Sequence, residues 1–286
     1  MGHHIIVCAP DAGLLGRLRG RAVVVRVPSL EGLDGTVETV ERAGVLLHCA
    51  AVESRHPLGH LTLQDRWADI PIALGVPSLG RVRDVVRLTP LIRRMNLRVV
   101  VPADSAENLT GLRILASLGV ACTAAPGSGP IPWAQFTDLA TYALLGLVPH
   151  GPIEPFDYLA THYDPDRRTD FRGVWFDDPT RFVHMDGSGR FALSAAELAA
   201  GQCAGAAPED LDSLDDSEMY RDRLDAWRHV FLRKDGCASC PGWRICLGAF
   251  EAGGSDGCRA ALAEVLDLVE RHQATAHKGR RALWPA

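Results

Sequence analysis

Lysine is almost missing from this chain. Lys234 and Lys278 are the only two in 286 residues, so nearly all positive charge is arginine, a skew that reads as genome composition rather than as an anion site. The net charge of −5 argues against a nucleic-acid binder, which is more often basic with clustered Lys and Arg. No apolar stretch reaches the ~20 residues that span a bilayer, so no membrane association is expected. The start, Met1-Gly2-His3-His4-Ile5-Ile6-Val7, lacks a basic region followed by a long apolar run, so no export signal is expected. Eight cysteines without such a signal point to the cytoplasm, where grouped thiols are more often metal ligands than disulfides. No internal repeat is visible.

What is present suits a soluble globular protein of one large domain or two unequal ones. β-Branched runs at Ile5–Cys8, Val23–Val27, Val45–Cys49, Ile70–Val76, Arg98–Val101 and Val120–Ala124 read as buried strands. Amphipathic stretches at 81–95, 105–118 and 132–147 read as helices, the second capped by Asp104 or Ser105. Strands alternating with helices predict an α/β fold, a largely parallel sheet that is open or closed into part of a barrel. Near residue 150 composition turns proline-rich and the rhythm stops. The expected division is a β/α scaffold over 1–150, a linker over 151–174, a cysteine-bearing module over 175–272 and a frayed tail over 273–286. That module begins with a hairpin over 182–193 turning at Asp186-Gly187-Ser188-Gly189. An acidic loop over 209–218 follows, then a helix over 217–233 with Tyr220, Leu224, Trp227 and Phe231 on one face, and a last helix over 259–272.

The most informative pattern is Cys237-x2-Cys240-x5-Cys246-x11-Cys258. Four thiols in so short a span imply a shared metal, because a Cys-x2-Cys turn aims two sulfurs at one centre and two later cysteines complete a four-sulfur shell. Gly236, Pro241, Gly242 and Gly248 let the backbone bend around such a group and turn amide N–H groups toward sulfur. Zinc competes with iron and sulfide here, although structural zinc commonly uses two short cysteine pairs and only the first pair is short. Of the other cysteines, Cys49 and Cys122 read as small buried hydrophobes and Cys8 as a buried inert thiol, while Cys203 has no assigned role.

The run Cys237-Ala-Ser-Cys240-Pro-Gly-Trp-Arg-Ile-Cys246-Leu-Gly248, with Cys258 downstream, resembles the SPASM domain of radical SAM peptide maturases. Phe182-Val-His-Met-Asp186-Gly187-Ser-Gly189 resembles the hairpin of that twitch-like module, and the segment from Trp227 to Phe231 the helix preceding its cysteines. The resemblance implies one auxiliary [4Fe–4S] cluster held by Cys237, Cys240, Cys246 and Cys258. It also marks departures. Phe250 stands where the family has a cysteine for a second cluster, and Ser194 near another such position. After the first strand, Cys8-Ala-Pro-Asp11 lacks the rest of Cys-x3-Cys-x2-Cys, and no Gly-Gly-Glu run follows, so no S-adenosylmethionine site is expected. The chain looks like a pseudo-radical-SAM protein: a shortened β/α barrel-like scaffold followed by a SPASM-like end.

Several other features read as ordinary. His56 and His60 are separated by Pro57 and Gly59, which disfavour a shared helical face. Gly127-Ser128-Gly129 is followed by Pro130 and Pro132, so it does not read as a phosphate loop. Trp243 reads as a shield for the cluster. The leading expectation is an accessory maturation protein that binds a precursor peptide, a partner peptide-modifying enzyme, or both, without cleaving S-adenosylmethionine itself. A stand-alone redox enzyme and a zinc-stabilised interaction module are the alternatives.

Overall fold

The computed structural model describes residues 4–167, 169–225, 236–250 and 254–283. In chain order its first elements are β1 (Ile5–Cys8), α1 (Ala12–Arg17), β2 (Ala22–Val27), α2 (Leu33–Ala43), β3 (Leu46–Glu53), β4 (Ile72–Gly75), α3 (Val82–Ile92) and β5 (Leu97–Pro102). There follow α4 (Ala106–Ser117), β6 (Cys122–Ala125), α5 (Trp133–Leu145), β7 (Ile153–Glu154) and α6 (Phe156–His162). The last are β8 (Phe182–Met185), β9 (Phe191–Ala192), α7 (Ala195–Ala199), α8 (Glu218–Asp225), α9 (Trp243–Cys246) and α10 (Asp256–Leu283). The chain divides into two compact units, Met1–Val100 with Trp175–Arg228, and Val101–Val174 with His229–Ala286.

In the first unit the strand order is β5-β4-β3-β2-β1-β8-β9. All neighbours are parallel except β9, which returns antiparallel to β8. From β1 to β5 each strand lies beside its predecessor, and right-handed crossovers in one direction put the intervening helices on a single face. That face is packed: Ile6, Cys8, Val23 and Val25 of the strands meet Leu14, Leu15 and Leu18 around α1 and Val40 and Ala43 of α2. The local chemistry agrees with each boundary. Asp11 caps α1 by accepting from Leu14 N at 2.7 Å, and Gly44 ends α2 in the left-handed conformation at φ 69°, which glycine adopts without a Cβ clash. The opposite face carries Val7, Val24, Cys49, Ala73 and Phe182, with Ile5, Ala51, Val100 and Phe176 partly buried around them.

In the second unit β6 and β7 pair in parallel, and α4 is capped by Ser105, whose Oγ accepts from Asn108 N at 3.1 Å. The last helix α10 packs along α5 and α6. Its His272 Nδ1 lies 2.6 Å from Leu144 O, and Gln273 Nε2 donates to the carbonyls of Ala160 and Tyr163.

These units correct several expectations. The 151–174 segment is folded, holding β7, α6 and buried Phe156, Leu159 and Phe171. Its prolines sit where they do no harm, with Pro155 immediately ahead of the first turn of α6. The hairpin turns at Asp186–Gly189 as expected, since Asp186 Oδ1 accepts from Ser188 N, Ser188 Oγ and Arg190 N. Yet β8 extends the first unit's sheet beside β1, so 175–228 groups with the scaffold and the cysteine segment groups with 101–174. The acidic stretch forms 3₁₀ turns over Pro208–Asp216, anchored by buried Leu211 and Leu214. The tail is helical to Leu283. Trp227 and Phe231 lie outside the described residues.

Burial holds Cys49 up at about 11 and Cys8 up at about 12, against an ordinary 9.0. Both folded-state values are raised, so the unfolded chain gives up these protons first as pH rises. The stability they contribute is complete below pH ~9 and falls above it, at roughly 1.4 kcal/mol per pH unit for each thiol. Thermal unfolding followed from about pH 8 to about pH 10.5 is expected to show this decline, and Cys49→Ala to flatten it.

Candidate functional site

Cys237 lies in a 3₁₀ turn, Gly236–Ser239, and is buried. Cys240 N donates to Cys237 O at 3.1 Å, so the Cys-x2-Cys pair is closed into one turn by its own backbone. Pro241 and Gly242 lead directly into α9, which delivers Cys246. Gly242 lies so close to α10 that a Cβ there would stand 2.6 Å from Leu262 Cβ, and only glycine fits. After Cys246 the chain makes an abrupt left-handed turn, with Leu247 at φ 50° and Gly248 at φ 79°. A left-handed Leu247 directly after helical Cys246 is an arrangement that turns successive N–H groups to one side.

That side is the Cys246 sulfur. Ala249 N–H donates to the Cys246 carbonyl at 2.9 Å and Trp243 N–H to the Cys240 carbonyl at 3.2 Å, and the backbone amides of Phe250, Gly248 and Ala249 lie near enough the Cys246 sulfur, and those of Gly242 and Trp243 near enough the Cys240 sulfur, to favour their anionic forms. Burial pushes both thiols up, the amides oppose this, and the two sulfurs are close enough for the charge of Cys240 to act on Cys246. Arg259, in the first turn of α10, opposes the rise at Cys240. Cys258 is buried in that same turn, where Ser255 Oγ accepts its N–H at 3.2 Å. Gly254 packs on Cys237, with room for a Cβ only 3.2 Å from its Sγ. Amide N–H groups aimed at sulfur favour the anionic form that ligates metal. The donor set therefore fits a thiolate-ligated group. Among the described residues, no three Cys, His, Asp or Glu side chains are drawn together as ligands of a single ion.

The positions that depart from the SPASM pattern have structural work of their own. Phe250 sits in an aromatic cluster, 5.0 Å from Phe136, 5.3 Å from Phe171 and 6.0 Å from Trp133 between ring centroids. Ser194 caps α7 through Glu197 N. Cys203 is half-buried on the first unit. Cys8, Cys49 and Cys122 are buried, as expected of apolar cysteines. His60 ends a short 3₁₀ turn, Leu58–His60, whereas His56 lines a cavity of about 280 Å³ at the carboxyl ends of β2 and β3, with Glu31, Glu53 and Arg55. At Gly127 the space a side chain would need is filled by the Asp104 carboxylate, a charge that repels phosphate.

One arrangement escaped the sequence reading. His184, buried on β8, has Nε2 3.2 Å from Asp177 Oδ1 and Nδ1 3.3 Å from Arg26 Nη2. A guanidinium only donates, so Nδ1 accepts, while Nε2 lies close to the Asp177 carboxylate without the geometry of a hydrogen bond. The signal was an arginine inside the otherwise apolar run Ala22–Val27.

No protein-family model matches the chain, and no curated protein matches it.

Gly242→Ala is expected to push α10 away from the Cys-x2-Cys turn and to cost about 1–3 kcal/mol. Denaturant unfolding checks the cost. A variant as stable as the parent would contradict the close approach of Leu262.

Proposed function

We propose that the chain is an accessory protein in the cytoplasmic maturation of a ribosomally made peptide. It carries one [4Fe–4S] cluster on Cys237, Cys240, Cys246 and Cys258 and binds the precursor peptide, a partner modifying enzyme, or both. The observation that carries this reading is a Cys-x2-Cys turn closed by Cys240 N on Cys237 O, with backbone amides close enough to Cys240 and Cys246 to oppose the rise that burial causes, inside a SPASM-like cysteine pattern. Such a group, with all its irons held by protein thiolates, supplies electron transfer or a covalent staple. The residues of this chain define its setting. Cys237 and Cys240 would hold the group from one closed turn, Cys246 from the end of α9 and Cys258 from the start of α10. The amides of Gly248, Ala249 and Phe250, and Arg259, would offset its negative charge. The sequence provides no three-cysteine motif for S-adenosylmethionine, so this reading assigns radical initiation to the partner.

Anaerobic reconstitution tests it. Wild-type protein is expected to bind about four iron and four sulfide per chain and to absorb near 400 nm, while Cys240→Ser and Cys246→Ser lose most of both. Zinc without iron would overturn the cluster. Mixed with a ribosomally made precursor peptide and its modifying enzyme, the loaded protein is expected to bind one of them and to raise the yield of modified peptide. Binding to neither would overturn the accessory role.

A further inference from the structure

The first unit has a cavity of about 280 Å³ outside the carboxyl ends of two neighbouring parallel strands. In open parallel sheets the loops leaving those ends are where ligands bind. One wall is Pro28–Glu31, which leaves β2 and runs into α2. The other is Glu53 with the Ser54–His56 loop that leaves β3, and Leu61 completes the lining.

Local hydrogen bonds hold both loops. Ser54 Oγ accepts from His56 N at 3.0 Å and donates to His56 O at 3.1 Å, which fixes the turn that carries Arg55. On the facing loop the Ser29 hydroxyl and the Glu31 N–H donate to the Glu31 carboxylate and hold it below the ordinary range, and His56 adds to this. Glu53 is served differently. Its carboxylate lies over β4, where Gly75 leaves open the space that a Cβ would fill. Partial burial pushes it up and Arg26 on the next strand opposes this, yet among the described residues no hydrogen bond reaches its oxygens. Arg55 is exposed, and among the described residues its guanidinium is neither paired nor hydrogen-bonded.

Charge sorts the occupants. Glu31 and Glu53 are negative, while Arg55 and the neighbouring Arg26 are positive, so the cavity and its surroundings balance but keep the two signs apart. A simple cation would meet Arg55, and a simple anion would meet both glutamates. A molecule carrying both signs satisfies each. The Arg55 guanidinium matches a carboxylate bidentately, and carboxylates with spare acceptor capacity suit the three N–H donors of an ammonium. Pro28, Leu30 and Leu61 supply apolar wall. The volume falls at the small end of ligand pockets, which span about 300–1,000 Å³, so it suits a single small metabolite.

We propose that this cavity binds a free α-amino acid with an aliphatic side chain, its carboxylate on Arg55, its ammonium between Glu31 and Glu53, and its side chain against Leu30 and Leu61. The site uses none of the cysteines and stands apart from the accessory reading, which assigns no small-molecule ligand to the first unit.

Titration calorimetry of the full-length protein with L-leucine tests this. The controls are leucinamide, which lacks the carboxylate, and N-acetyl-leucine, which lacks the ammonium. Leucine is expected to bind at least about tenfold tighter than either. Glu53→Gln and Arg55→Gln, both at exposed positions, are each expected to weaken leucine about tenfold and to leave the melting temperature near that of wild type. Their selectivities are expected to change in different ways. Arg55→Gln loses most of the discrimination against leucinamide, and Glu53→Gln most of that against N-acetyl-leucine. Absence of leucine binding, equal binding of the three compounds, or variants that keep the wild-type selectivity would overturn the proposal. So would tighter binding of S-adenosylmethionine than of leucine, which would make the cavity a nucleoside site.

Discussion

Everything in the first unit follows from one topological constraint: each right-handed crossover steps to the next strand in the same direction. Helices then collect on one face, where Leu14, Leu15, Leu18 and Val40 close a core over Ile6, Val23 and Val25. The other face cannot be filled by the same helices. It carries a second buried cluster of its own, Val7, Val24, Cys49, Ala73 and Phe182, with Ala51 and Phe176 packed against it. Arg26 can occupy a strand of this kind because it stays exposed and its guanidinium is met by His184.

The second unit solves a different problem, which is how to present sulfur. A cysteine buried among apolar side chains holds its proton, as Cys8 and Cys49 do. Cys240 and Cys246 are also pushed up by burial, but more backbone amides lie near enough to oppose that rise than at Cys8 or Cys49. The difference comes from the left-handed pair Leu247–Gly248 and from the close approach of Gly242 to Leu262. Phe250, one turn further on, is committed to packing with Phe136 and Phe171.

The first half of the fold was legible because its strands are β-branched and buried. The runs at Ile5–Cys8 and Val23–Val27 announce themselves, and Ser105 with Glu107 marks the start of α4. The hairpin turn was legible for a local reason, the Asp-Gly-Ser-Gly chemistry at 186–189. Where the hairpin docks was not, because the pairing of Phe182–Met185 with Ile5–Cys8 joins segments far apart in sequence and leaves no local pattern. Residues 151–174 misled because proline-rich composition suggests a linker, while a strand as short as Ile153–Glu154 has no periodicity to find. The cysteines were visible as a spacing, but the amides around Cys246 depend on Leu247 at positive φ, a conformation leucine rarely adopts and composition does not signal.

The central claim is that four sulfurs of the second unit hold one iron–sulfur group. Native mass spectrometry of protein prepared and sprayed without oxygen measures this most directly. The account predicts one dominant species, heavier than the bare chain by a single unit of four irons and four sulfides, and its disappearance when Cys246 is replaced by serine. A chain carrying one zinc ion, or two cluster units, would contradict it.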